Sequence, residues 1–453
     1  MTDNDSIHIV GAGLAGSLLA CYFARRGLSV EVWERNSDMR AEDIPAGRSI
    51  NLALANRGIR ALNEVGLAEQ VTPLLIPMRG RMLHNRNGEL QLQPYGQREH
   101  EVIYSVSRAD LNRIMMSAAE ATGYVTIHFK RRLDAIDFAT GRLSFDDDRE
   151  QINIRRLIAS DGAGSVVRRA MKQLPEFEST EDLLTHSYKE LTMPPAPGGS
   201  FRIEKNALHI WPRGGHMLIA LPNLDGSFTV TLFLPNEGEP GFSSLDTPET
   251  VEAFFEEQFA DALLHLPDLT EQFFENPTGS LGTVRCWPWC VGGRSLLVGD
   301  AAHAIVPFHG QGMNAAFEDC FVLDGCLDSE DNWDAAFDAY QRRRKADADA
   351  IADMALENYI EMRDSVRHPR FHLQKQLAFE LERRHPGVFV PRYSLVMFHH
   401  VPYSEAQRRG EIQKRILGTL TEGIDNLADV DLERADELVL SELTEIEELA
   451  ENA

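Results

Sequence analysis

The stretch IHIVGAGLAGSLLACYFARRGLSVEVWER, residues 7–35, decides how the chain begins to fold. An apolar run, Ile7, Ile9 and Val10, leads into Gly11-x-Gly13-x-x-Gly16, and the apolar pattern Leu18, Leu19, Cys21, Phe23 and Ala24 follows. That order predicts a strand, a tight turn and a helix. The glycines permit the turn and close backbone approach. The helix N-terminus offers free N–H groups and the positive end of a dipole to a pyrophosphate. A second apolar segment, residues 29–33, ends in Glu34, about 20 residues beyond the glycines, where a carboxylate takes a pair of ribose hydroxyls. A carboxylate there disfavours a 2′-phosphate, so FAD and NAD are the two candidates for the slot.

The rest of the composition narrows the class. With 453 residues the chain has room for two or three domains. Its formal net charge of -25 disfavours nucleic acid and anionic membrane, which need clustered Lys and Arg. No apolar run reaches the length of a membrane span, and the polar start MTDNDS is no signal peptide. Five cysteines form no paired framework, and Cys286 and Cys290 in CWPWC lack zinc-ribbon spacing. They read as reduced, structural thiols of a cytoplasmic protein, and no metal site is expected.

Along the chain, RMLHNRNGELQLQPYG predicts a hairpin around Asn87-Gly88, and SVSRADLNRIMMSAAEATG a helix capped by Ser107. If the hairpin turns symmetrically about Gly88, Arg81 faces Tyr95. Between about residues 183 and 282, alternating segments such as ALHIWPRGGHMLIALPNLDGSFTVTLFLP predict an antiparallel sheet. From about residue 334 the pattern is helical. The acidic tail after Glu422 is read as a solvated, partly disordered end rather than an amphipathic helix.

Two later segments decide the cofactor. In LLVGDAAHAIVPFHGQGMNAAFEDC an apolar strand delivers Asp300 at its carboxyl end, where open α/β sheets bind ligands. Pro307, Gly310 and Gly312 then let backbone approach something flat, and a helix starting near Met313 aims its N-terminus at the same place. A flavin needs a carboxylate for its ribityl hydroxyls and a positive helix end beside the ring edge that gains charge on reduction. The segment ASDGAGSVVRR supplies a further strand-end carboxylate, Asp161. Each segment alone is compatible with an ordinary strand-end turn; three in this order, split by a β-rich insertion, point to FAD.

This pattern resembles the aromatic hydroxylase family of single-component FAD-dependent monooxygenases, across most of the chain. GRSINLAL, IPMRGRMLH, PYG, SVSRADLN, YKELTMPP, LHIWPR, MLIALPN and NYIEMR resemble in particular the members of that family that act on L-kynurenine. The resemblance implies an α/β fold: a Rossmann-like FAD-binding domain with an inserted antiparallel β-sheet substrate domain and a helical C-terminal region. The expected boundaries are 1–75, 98–182 and 283–333 for the FAD-binding domain, and 76–97 with 183–282 for the substrate domain. The helical region would be 334–421 and the tail 422–453.

It also implies tightly bound FAD and a visiting NADPH as electron donor; no second glycine fingerprint follows a strand. Dioxygen would add to the reduced flavin as a C4a-hydroperoxide, and its distal oxygen would pass to L-kynurenine, giving 3-hydroxy-L-kynurenine in tryptophan degradation. For FAD, the resemblance adds Ala15, Trp33, Arg35, Asn36, Ala53, Arg108, Leu133 and Asn314 to Gly11, Gly13, Gly16, Glu34, Asp161, Asp300, Gly312 and Met313. For the substrate, it implies Arg81 and Tyr95 at the carboxylate, with Asn358 and Tyr393 beside them. Met362, four residues after Asn358, shares its helix face, and Phe308 and His309 would line the pocket over the flavin ring. Without the resemblance, Arg81 and Tyr95 are an ordinary hairpin pair, Asn358 a polar helix residue, Tyr393 packing, His309 a loop histidine and Arg108 a surface charge. Eukaryotic relatives carry an apolar C-terminal membrane anchor, and the acidic end here predicts a cytoplasmic enzyme. A hydroxylase of another aromatic acid and a flavin-binding sensor without turnover stay open as alternatives.

Overall fold

A computed structural model of the chain describes residues 6–41, 51–146, 151–364 and 368–446. Two compact units divide the chain: residues 1–76, 104–184 and 280–352 form one, and 77–103, 185–279 and 353–453 the other.

The first unit is built on a six-stranded sheet in the order Cys290–Val291, Ser295–Leu297, Leu157–Ala159, Ile7–Val10, Val30–Trp33 and Val125–His128. All its pairings are parallel except that of the short edge strand Cys290–Val291. Ile9, Val30, Val32, Leu157, Ile158 and Leu296 are wholly buried, as strands covered on both faces require. The helix Leu14–Arg25 buries Leu18, Leu19, Tyr22 and Phe23. From Ile7–Val10 the order runs one way to Val30–Trp33 and the other way to Leu157–Ala159. The first glycine turn and Asp161 therefore meet at the topological switch point. Ser107 caps the helix Arg108–Ala121 by accepting the Asp110 N–H. Of the motif GRSINLAL, residues 47–50 lie outside the described residues; Asn51–Leu54 is a strand.

The second unit carries a largely antiparallel sheet whose order runs from Glu178–Met193 to Phe228–Pro235, Met217–Pro222, Leu208–Pro212, Gly80–His84 and Leu90–Pro94. Only Leu208–Pro212 and Gly80–His84 pair in parallel. Phe254, Phe255, Phe259 and Phe273, from the helical segments of residues 248–275, close the core over Leu218, Val230 and Leu232.

The hairpin differs from the symmetric expectation. Its register pairs Gly80 with Pro94 and Arg81 with Gln93, so Arg81 does not face Tyr95 directly. Asn85 N–H donates to Glu89 O, leaving a three-residue loop, Arg86-Asn87-Gly88, with Gly88 at φ 83°. A loop centred on Asn87 with a left-handed closing glycine moves the register by two residues. A shift of two preserves the face, so Arg81 and Tyr95 remain diagonal neighbours on one side.

The expectation for the acidic tail is corrected as far as residue 446. Leu432–Glu442 is a helix capped by Asp431, and it buries Val430, Ala435, Val439 and Leu443 against Leu377, Leu381, Phe389, Ile416 and Leu420. Its carboxylates find bases on other helices: Asp436 pairs with Arg384 and His385, and Glu442 with Arg415. The charge count of the isolated segment contained none of these partners. Residues 447–453 lie outside the described residues. No helix among the described residues is long and apolar enough to cross a membrane.

Candidate active site

The strand ends of the first unit assemble a dinucleotide cradle. A Cβ at Gly16 would stand 2.0 Å from Gly11 O and 2.5 Å from Ser160 Oγ, so helix and strand touch there and the third glycine is structural. A Cβ at Gly13 would meet nothing within 4 Å. The space at Gly13 answers to no protein neighbour, as a backbone left open for a ligand would require. Beside it, Glu34 Oε2 accepts the Ala12 N–H at 2.8 Å, and Oε1 accepts the Asn36 N–H at 2.8 Å. That grip holds the carboxylate at the strand end, with Arg35 and Asn36 exposed and Ala15 on the first helical turn. Trp33, buried, stacks on His128 at 4.2 Å between ring centres.

At the switch point Asp161 Oδ2 accepts the Val166 N–H at 2.7 Å, capping a short helix, while Oδ1 is buried with no partner of normal hydrogen-bond geometry among the described residues. Burial pushes its carboxyl up, against the helix-end donors. Asp300 opens the short helix Asp300–His303; its side chain keeps accessible surface although protein crowds around it, as in a recess. That crowding raises its pKa, and His303 and Arg108 pull it back. Arg108 is exposed at its helix start, and Leu133 is buried at the head of its strand. Gly312 begins the helix Gly312–Ser329 and Met313 is buried on it. Asn314 is fully occupied: Oδ1 accepts the Ala55 N–H at 2.8 Å, and Nδ2 donates to Ala53 O and Gly310 O, both at 2.9 Å. Its side chain clamps the glycine turn to Asn51–Leu54, so only its main chain is left for a cofactor. An open glycine, an unpartnered carboxylate oxygen and a helix N-terminus fit FAD. Phe308 and His309 are buried on the single turn Pro307–His309 of this same unit.

The second unit gathers Arg81, Tyr95, Asn358, Met362 and Tyr393. Arg81 Nη2 donates to Asn358 Oδ1 at 3.2 Å, and Asn358 Nδ2 lies 3.3 Å from Met362 Sδ one helical turn on. The rings of Tyr95 and Tyr393 stack at 5.2 Å, with the Arg81 guanidinium 5.9 Å from one and 5.0 Å from the other. Arg81 is 5% exposed and Tyr95 4%, yet Arg81 Nε and Tyr95 Oη have no hydrogen-bond partner of normal geometry among the described residues. A buried guanidinium with a donor to spare, beside a phenol, is a combination able to take a carboxylate. Burial opposes the Arg81 charge, but Tyr393, Glu361 and Tyr95 outweigh it and its pKa stays raised.

A family model described as FAD binding domain matches residues 4–355. A kynurenine 3-monooxygenase of Myxococcus xanthus is 53% identical over 97% of this chain and 96% of its own. One of Stenotrophomonas maltophilia is 51% identical over 94% of each. The chain belongs to the kynurenine 3-monooxygenase family. Its FAD-dependent monooxygenase fold agrees with solved structures of 2-methyl-3-hydroxypyridine-5-carboxylic acid oxygenase, at a TM-score of 0.67, 20% identity and coverage of 84% of this chain and 98% of that one. Pseudomonas aeruginosa PqsL gives 0.66 at 20% identity, with 80% and 98% covered.

In this kynurenine 3-monooxygenase family member, sequence reading passed over several residues that act on the expected ones. Glu361 Oε1 accepts from Arg81 Nη1 at 3.0 Å; it lies three residues after Asn358, and that helical spacing was the available signal. Asp319, wholly buried, joins His303 at 2.6 Å and Arg344 at 2.7 Å, and Glu318 joins Arg344 and Arg57. Those partners come from three separate segments, and no local pattern announces them. The thiols of Cys21 and Cys286 are pushed up to about 12 by burial, which keeps them from acting as thiolates at neutral pH. Among the described residues no cluster of metal-ligating side chains occurs.

Proposed function

We propose that this protein hydroxylates L-kynurenine at ring position 3, consuming NADPH, a proton and dioxygen and releasing 3-hydroxy-L-kynurenine, NADP+ and water. The single observation that carries the reading is the buried cluster at Arg81, where the guanidinium lies beside the stacked rings of Tyr95 and Tyr393 and its Nε has no partner of normal hydrogen-bond geometry among the described residues. Relatives about half identical over nearly the whole chain bear the name of that activity.

Arg81 and Tyr95 would take the α-carboxylate through charge-assisted bonds, with Asn358 and Tyr393 completing its shell. Asn358 already holds one Arg81 nitrogen and Glu361 another, so the fork is oriented before substrate arrives and little ordering entropy remains to be lost. Holding one end of the substrate fixes which ring carbon is presented for reaction. When bound, FAD supplies the redox chemistry, taking two electrons from NADPH and activating dioxygen. Glu34, Asp161, Asp300 and the helix N-termini at Leu14 and Gly312 would hold it; no side chain is required as nucleophile. We place the enzyme in the cytoplasm.

Mass spectrometry of the product formed from kynurenine, NADPH and air tests the reading. A species one oxygen heavier, hydroxylated at position 3, is expected. Turnover of a salicylate-like acid with none of kynurenine would make it a hydroxylase of another aromatic acid. Bound flavin with no substrate-stimulated NADPH oxidation would make it a sensor.

A further inference from the structure

The helix Pro369–Arg384 is tethered to the outer strand of the hairpin and to the residues that follow it. His372 Nδ1 is 3.3 Å from Gln93 Nε2, the residue paired with Arg81 in the ladder. Further on, Gln97 Nε2 donates to Phe379 O at 3.0 Å and to Glu382 Oε2 at 2.8 Å. These tethers bracket Tyr95 from both sides. Residues 372, 375, 379 and 382 share one helix face at 3.6 residues per turn. Lys375 is therefore presented at the level of Tyr95, its Nζ 5.8 Å from the Phe379 ring centre. Among the described residues it makes no hydrogen bond or ion pair, yet it feels the charges of Arg81 and Glu361.

We propose that Lys375 is a substrate-recognition residue, its ammonium sharing the substrate carboxylate with Arg81. The charges favour this. The charges that act on Lys375 are one cation, Arg81, and one carboxylate, Glu361, so these three groups together carry one positive charge, matched to a monoanion. Burial first, then Arg81, push Lys375 down to about 8, and Glu361 draws it back. A bound carboxylate favours the charged form, so substrate binding takes up a proton near and above pH 8.

Burial raises Tyr95 and Tyr393, Arg81 is raised, and Glu382 is a carboxyl raised by burial from an acidic starting value. His372 and Gln93 stand on one side, and Arg98 with Glu101 on the other.

The proposal rests on the reading of the site as a kynurenine site, and calorimetry on the FAD-loaded enzyme separates the two. Kynurenine is titrated at pH 7.0, 8.5 and 9.5 in buffers of different ionisation enthalpy, which yields both Kd and protons taken up. The substrate's own amine titrates alike in every variant, so differences from wild type are the readout. Lys375→Met should weaken binding about tenfold at pH 7, the value of one lost charge-assisted contact, and lose the extra proton uptake at pH 8.5. Lys375→Arg should keep the affinity at pH 7 and also lose the proton uptake, since its charge never leaves. Wild-type affinity in Lys375→Met, or wild-type proton uptake in Lys375→Arg, overturns the role of Lys375 while leaving the kynurenine site standing. Failure of the wild-type protein to bind kynurenine overturns both.

Discussion

Asp319 Oδ2 accepts the backbone N–H of Gly299 at 3.0 Å, one residue before Asp300. The same oxygen sits 2.6 Å from His303 Nε2, while Oδ1 takes Arg344 Nε at 2.7 Å. A buried carboxylate thus ties the turn that presents Asp300 to the His303 ring and the Arg344 guanidinium. Asp319→Ala strands that guanidinium and should cost about 3–5 kcal/mol of stability, read by denaturant melts of apoprotein and holoprotein. FAD retention through gel filtration should fall with it. Equal melts for wild type and variant would refute this account.

Acid should release the same tie. Asp319 is buried, but His303 and Arg344 hold its carboxyl at about 2, below its ordinary 3.8. A depressed carboxyl contributes stability that is complete above its unfolded value and is lost as pH falls from about 4 toward 2. The thermal midpoint should drop across that window, and Asp319→Asn should show a shallower drop.

The two inner glycines of the fingerprint should separate folding from binding. Gly16→Ala collides with Gly11 O and should yield little folded protein. Gly13→Ala meets no protein atom and should fold normally while binding FAD about tenfold or more weakly. Fluorescence titration of apoprotein with FAD reads this, and unaltered affinity in Gly13→Ala would move the pyrophosphate elsewhere.

Arg81→Ala should weaken kynurenine binding by about 2–5 kcal/mol and leave FAD bound. Arg81→Lys keeps the charge without the planar fork and should recover only part of the loss. Kynurenine titrations of the flavin-loaded variants check both; unchanged affinity in Arg81→Ala removes the carboxylate assignment.

Burial lowers His209 from 6.5 to about 4, in a chain running Asp261, His84, His209 and the Glu204 carbonyl at 2.7, 2.8 and 2.7 Å. The unfolded chain binds this proton first, so stability is complete above 6.5 and falls as pH drops toward 4, by about 3 kcal/mol at most. His209→Gln should flatten the difference between urea melts at pH 7.5 and pH 5. A slope as steep as wild type would assign the acid sensitivity to other groups.

Wherever local spacing carries the physics, the sequence alone was sufficient. Glycines after an apolar run specified the turn and helix of residues 7–25, Ser107 the cap of the helix Arg108–Ala121, and alternation the strands around residues 208–235. The strand-end carboxylate Glu34 was legible too, and it stands beside the glycine turn, accepting the Ala12 N–H. Long-range partners decided everything else. The tail after Glu422 read as solvated because its acids were counted without Arg384, His385 and Arg415. The hairpin register depended on a three-residue loop that Asn87-Gly88 by itself does not distinguish from a two-residue one. Asp319 and Lys375 became visible only in space. Spacing along a chain reports which backbone conformation is cheap, whereas the pairing of buried charges depends on which distant segments share a low-dielectric interior, and only the folded packing settles that.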